Sequence, residues 1–135
     1  MSSVVETLEA KLLVPFENLA KRLRNQFPNV SANAYSRPSG SPEYNGQIIC
    51  VDCVVGDALS ESDNVALVID LMHLNTQPKI IAYVCWGHPS GYVEAELSPE
   101  WLEVSDDVLK NLYADLSRLS ESLVEAVRRR KPRGE

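Results

Sequence analysis

The chain has 135 residues, is 44% hydrophobic and 24% charged, and carries a formal net charge of −6. That length suits one domain over 1–135 with a core that needs no disulfide or metal staple. Segment 128–135 holds five basic groups and one acid, a +4 tail, so the rest of the chain stands at −10. An acidic body argues against general nucleic-acid binding, which needs a basic face to displace counterions from phosphates.

Residues 1–10 contain Glu6 and Glu9 and no apolar run with a cleavage-type end, so no secretory signal is expected. No stretch approaches the ~20 apolar residues of a membrane span. Three cysteines, an odd number, read as reduced thiols in a cytoplasmic protein. Asn29-Val30-Ser31 matches a glycosylation sequon, which without an export signal is read as chance.

In chain order, Val5, Leu8, Leu12, Phe16, Leu19, Leu23 and Phe27 recur at spacings of three and four and predict an amphipathic helix. Pro15 lacks the donor that the carbonyl of Lys11 requires, so a kink or restart is expected there. Pro28-Asn29 closes the helix. A weak strand over 30–35 leads into a Ser-, Pro- and Gly-rich segment, 36–46, read as a flexible loop. Residues 47–55 form a strand by their β-branched content, and 56–64 are turn-like. Strands over 65–74, 79–87 and 92–97 follow, joined by the four-residue loops 75–78 and 88–91, which force antiparallel neighbours. Ser98-Pro99-Glu100 predicts a brief helical turn. Ser105-Asp106-Asp107 then caps a long helix with the stripe Leu109, Leu112, Leu116, Leu119, Leu123 and Ala126. Basic residues from Arg128 close it at the negative end of its dipole.

Side-chain alternation sorts the strands. Four-residue loops pair Leu74 with Lys79 and Gly87 with Tyr92. Leu71, Ile69 and Leu67 then fall opposite Ala82, Val84 and Trp86, and those opposite Leu97, Ala95 and Val93. All are apolar and share one face, and a one-residue slip would mix the set. Ile49, Val51, Cys53 and Val55 extend that face on the earlier strand. The opposite face is mixed: Ile48, Cys50, Asp52, Val54, Val68, Asp70, Met72, Ile81, Tyr83, Cys85, Glu94 and Glu96, with Asp70, Tyr83 and Glu96 in one row. An antiparallel sheet with a solvated face ordinarily shows polar residues there. A helix covering this face is one expectation, since small α+β domains often close that way. An interaction surface is the other.

Chemistry-bearing constellations are sparse. Cys50, Cys53, Cys85 and His88 spell CxxC…CxxH, formally four zinc ligands. Strand alternation points Cys50 and Cys53 to opposite faces, which argues against a zinc site. Asp52, Asp70, Glu94 and Glu96 share the mixed face and form the acid–base candidates. Asp70 and His73 lie three apart on a strand, on opposite faces. No nucleophile elbow, cysteine-protease signature or glycine-rich phosphate loop occurs.

The predicted fold is α+β: an N-terminal helix, an antiparallel meander of four to five strands and a long C-terminal helix. In element order, size and acidity the chain is similar to bacterial type III secretion chaperones and to small immunity proteins that neutralise toxins. The central helix of the secretion chaperones has no counterpart in its pattern. The expected function is non-catalytic protein binding, adaptor-, chaperone- or immunity-like, on the mixed face at Asp52, Val68, Asp70, Met72, Ile81, Tyr83, Cys85, Glu94 and Glu96. The partner is another protein or a second copy, with no cofactor, nucleic acid or membrane. The alternatives are a small-ligand pocket between sheet and helices, and an enzyme or zinc protein using the carboxylates or the Cys/His set.

Overall fold

The computed structural model describes residues 2–39, 46–55, 64–74, 77–86 and 92–129. Helix α1 (Ser2–Gln26) precedes the strands β1 (Val30–Ser39), β2 (Gly46–Val55), β3 (Asn64–Leu74), β4 (Gln77–Trp86), β5 (Tyr92–Glu96) and the short β6 (Leu102–Glu103). Helix α2 (Asp106–Arg129) ends the described chain. Strands β1 to β5 form an antiparallel meander in sequence order, and β6 adds to β4. This is the α+β order that the periodicities predict.

Both helices pack on one face. Leu8, Leu12, Phe16, Leu19 and Leu23 of α1 and Leu112, Leu119, Leu123 and Val127 of α2 join one core cluster with Ile49, Val51, Cys53, Leu67, Ile69, Leu71, Ala82 and Val84. Each fully buried Leu, Ile or Phe contributes about 1.5–3 kcal/mol of transfer free energy. Helix α1 lies over β1 and β2, and α2 over β3, β4 and β5. Arg22 Nη1 meets Glu121 Oε1 at 2.7 Å, tying the helices side by side. The α2 cap forms as its sequence requires, with the Val108 N–H donating to Ser105 Oγ at 3.1 Å.

Five local expectations are corrected. Helix α1 runs through Pro15 without a restart. Pro15 is exposed, so the unserved Lys11 carbonyl is within reach of water, while the buried stripe on either side holds the helix together.

The loop expected over 36–46 is largely strand. Residues 36–39 extend β1 and Gly46 opens β2, leaving 40–45 outside the described residues. Proline is tolerated here because β1 is an edge. The carbonyl of Ala32 points away from β2, to Arg24 Nη1 at 2.6 Å. Pro38, at the same parity, therefore lacks its donor on the outer side.

The β3–β4 turn is shorter than expected. Gln77 and Pro78 belong to β4, and Leu74 pairs with Gln77 rather than Lys79. Leu71, Ile69 and Leu67 thus oppose Ile80, Ala82 and Val84. The slip is two residues, so every side chain keeps its expected face. Pro78 fits because its carbonyl accepts from the Val104 N–H at 3.0 Å on the side away from β3, so the β3–β4 ladder needs no donor from it.

Between β4 and β5 the expected register holds at Val84–Ala95 and Tyr83–Glu96. A bulge at Val84/Cys85 then moves Cys85 onto Val93 and Trp86 onto Tyr92. Val93 accordingly leaves the apolar face and stands 45% exposed.

Finally, no helical turn starts at Ser98. Its Oγ accepts from the Glu100 N–H at 3.2 Å, a local turn, and the chain continues into β6 beside Lys79 and Ile80. The turn-like 56–63, both hairpin tips (75–76 and 87–91) and the tail 130–135 lie outside the described residues.

Candidate functional site

Among the described residues, neither helix covers the second sheet face. Ladder pairing fixes its map. One row crosses all five strands: Tyr35, Cys50, Val68, Tyr83 and Glu96. The next row toward the β3–β4 turn holds Arg37, Ile48, Asp70 and Ile81. Beyond it, Met72 pairs with Lys79, and Lys79 with Glu103. On the other side run Asn33, Asp52, Ala66, Cys85 and Val93. The expected row of Asp70, Tyr83 and Glu96 is therefore broken: the two-residue β3–β4 slip sets Val68 beside Tyr83 and moves Asp70 to Ile81.

The centre of this face is apolar and sunken. Cys50 is 3% and Val68 8% exposed although neither described helix lies over them. Small side chains at Cys50, Ala66 and Cys85, beside Tyr35 and Tyr83 on β1 and β4, leave an open hollow of about 310 Å³. Arg37, Ile48, Asp52 and Asn64 complete its lining. A volume near 300 Å³ lies at the lower limit of small-ligand pockets.

Burial and hydrogen bonding shift the titratable groups of this face. Tyr35 is raised to about 12, first because its hydroxyl donates to Cys50 and then by burial, while Arg37 donates to the phenol oxygen. The Arg37 guanidinium carbon also stands 5.8 Å from the Tyr35 ring centroid. Burial raises Tyr83 to about 12 and pushes the Cys50 and Cys85 thiols up. Near neutrality the protonated forms of these phenols and thiols therefore predominate, and they act chiefly as hydrogen-bond donors and packing groups. Asp70 is raised to about 6 by burial.

Of the nine residues expected to form the surface, Asp52, Val68, Tyr83 and Cys85 line the hollow. Asp70, Ile81, Met72 and Glu96 surround it in the ladder. Glu94 is a correction. It sits at the bulge, and its carboxylate is held at 2.9 Å by Arg129 of α2, the helix packed on the other face. Arg129 also lies over the Trp86 ring, 5.7 Å from its centroid. The bulge thus exchanges Val93 and Glu94 between faces.

Arg128 pairs with Glu125 at 2.5 Å, so the first two basic residues of the tail serve the helix end. Cys53 joins the core cluster, where burial raises its thiol to about 12, whereas Cys50 and Cys85 face the hollow. The CxxC pair is split between faces, as alternation requires, and His88 lies outside the described residues. Among the described residues no three His, Cys, Asp or Glu are grouped so as to hold a metal ion.

Sequence reasoning missed Tyr35, Arg37, Asn64 and Ala66. The signal for the first two was present: Val30, Ala32 and Ala34 alternate with Ser31, Asn33, Tyr35 and Arg37 across the presumed loop boundary. No helix of the structure, among the described residues, is long and apolar enough to cross a membrane. No family model, curated protein or solved structure matches the chain.

Proposed function

We propose that this chain is a non-catalytic cytoplasmic binding protein, of adaptor, chaperone or immunity type, that holds another protein on the sheet face opposite its helices. One observation carries the reading. Cys50 and Val68 lie sunken at the centre of a face that no described helix covers, ringed by Arg37, Asp52, Lys79, Glu96 and Glu103. An apolar centre with a charged rim is the anatomy of a protein interface, where the centre supplies affinity and the rim selects the partner.

Photo-cross-linking in the source cell tests this. A benzophenone amino acid at Met72 or Ile81, on this face, gives a discrete protein adduct. The same group at Val14 of α1, 65% exposed on the helical layer, gives none. Equal labelling from all three positions, or adducts from Val14 alone, refutes the reading.

The hollow supports a second reading, a small ligand seated on Val68 and Ala66 between Tyr35 and Tyr83. Native mass spectrometry of freshly purified protein tests it, because a retained ligand adds a fixed mass that denaturation removes. A bare-chain mass removes this alternative.

A further inference from the structure

We infer that the occupant of the open sheet face is a second copy of this chain, packed face to face about a two-fold axis that runs along β3. This rests on the protein-binding reading above and names its partner.

The size of the face is the first argument. Five strands at ~4.8 Å spacing and about nine residues of length at ~3.4 Å give a patch of roughly 24 by 30 Å, about 700 Å². A standard stable interface takes about 800 Å² from each partner.

The pattern is the second. A two-fold axis along β3 lays β2 of one copy on β4 of the other, and β1 on the β5–β6 edge. Ile48 then meets Ile81 of the second copy, because both pair with Asp70 in their own sheet. Val68 and Met72 meet their own counterparts. Arg37, at the β1 edge, falls between Glu96 and Glu103 of the second copy, which sit one row to either side of it. Both β1 edges gain this contact, as an isologous interface requires. Face-to-face sheets keep their strands within about 30° of each other, which preserves the contacts nearest the axis. An axis running across the strands fails by comparison. It lays β5 on β5, bringing Glu96 toward its own copy and leaving Arg37 without an acid.

One like-charged pair remains at the axis, Asp70 against Asp70. Around it stand Ile48 and Cys50 from β2, Arg37 from β1, Ile81, Tyr83 and Lys79 from β4, and Glu96 from β5. Burial already raises Asp70 to about 6, and a second carboxyl raises it further by like-charge repulsion. Self-association is therefore tighter near pH 5.5 than near pH 8.

Sedimentation equilibrium over a concentration series tests the proposal. The wild type shows a monomer–dimer equilibrium that tightens as pH falls. Asp70→Asn tightens it at pH 8. Arg37→Glu weakens it about tenfold or more, the effect of placing like charges across an interface. Mixing Arg37→Glu with Glu103→Arg, both at exposed positions, restores association between the two variants.

A parallel readout is Cys85, half-buried on this face. Its labelling by a small thiol reagent falls with protein concentration at the same midpoint. A dimer indifferent to Arg37→Glu and to Val68→Arg overturns the proposal, since the copies then meet elsewhere. A monomer with Cys85 labelled also overturns it and leaves the face to a foreign protein. A monomer with Cys85 protected overturns both this proposal and the reading beneath it. A monomer carrying a fixed small added mass overturns it in favour of a ligand in the hollow.

Discussion

Asp70 is the clearest place where the sheet accepts an energetic cost. Its carboxyl lies between Ile48 and Ile81, and burial moves its pKa from the ordinary 3.8 to about 6. A move of that size corresponds to about 3 kcal/mol lost at pH 7. The carboxyl is only partly buried, and water at its open side reduces this to about 1–2 kcal/mol. The sign follows from proton counting. Between pH 3.8 and about 6 the folded chain binds more protons than the unfolded one, so stability falls as pH rises through that window and is level above it. Below 3.8 both states carry the neutral acid and the cost is gone. Asp70→Asn keeps the shape and removes the charge. Urea unfolding at low protein concentration, from pH 4 to pH 8, should show the variant about 1–2 kcal/mol more stable near pH 7.5 and level with the wild type near pH 4. A gap that stays constant with pH, or a variant less stable at pH 7.5, refutes the argument.

Three further outcomes follow from the packing. Leu123→Ala empties a fully buried site beneath α2 and should cost 2–5 kcal/mol in urea unfolding, roughly the range for such cavities. Ser105→Ala removes the acceptor for the Val108 N–H and should cost about 1 kcal/mol, with the loss of exchange protection concentrated in the first turn of α2. Thiol labelling of the dilute native protein should reach Cys85 first, whereas Cys50, 3% exposed, and Cys53, 0% exposed, wait for local or global opening. Prompt labelling of Cys53 would place β2 outside the core.

Most of the architecture was legible because parity is a robust quantity. The two-residue error at the β3–β4 turn changed every partner between those two strands, yet left Leu67, Ile69 and Leu71 on the buried face. Turn length itself was hidden by Pro78, a turn-forming residue by local preference. It sits in β4 because its missing donor faces the short β6 rather than β3. Pro38 misled in the same way, and only the edge position of β1 explains its tolerance. The bulge at Val84/Cys85 had no local signature, since neither glycine nor proline marks it, and so the exchange of Val93 and Glu94 was out of reach. The helix stripes and the Ser105 cap depend on neighbours three and four residues away, and these were read directly. The hollow was not, because it arises where small residues on β2, β3 and β4 coincide between Tyr35 and Tyr83.

The open face is itself a consequence of widths. Five strands at ~4.8 Å make a sheet of roughly 24 Å, and the two helices divide that width, α1 over β1 and β2 and α2 over β3, β4 and β5. Both helices have a single apolar stripe, and both stripes join the same core on one face of the sheet, with the exposed Arg22–Glu121 pair reaching between them. Helices α1 and α2 are thus used up on the face of Leu67 and Ile69, and none of the described chain is left for the other side. Were that side meant for water, selection for solubility would favour polar residues at its middle, as antiparallel sheets with one wet face show. Instead Arg37 on β1 and Glu96 and Glu103 on β5 and β6 stand at its margins, Asp52 and Lys79 lie in the flanking rows of the inner strands, and Ile48, Val68, Met72 and Ile81 occupy the middle. Asp70 is the exception there, a carboxyl that costs stability at neutral pH in the free chain. On the proposed reading, in which that surface meets a partner, the same carboxyl stands where its protonation acts on association as well as on folding.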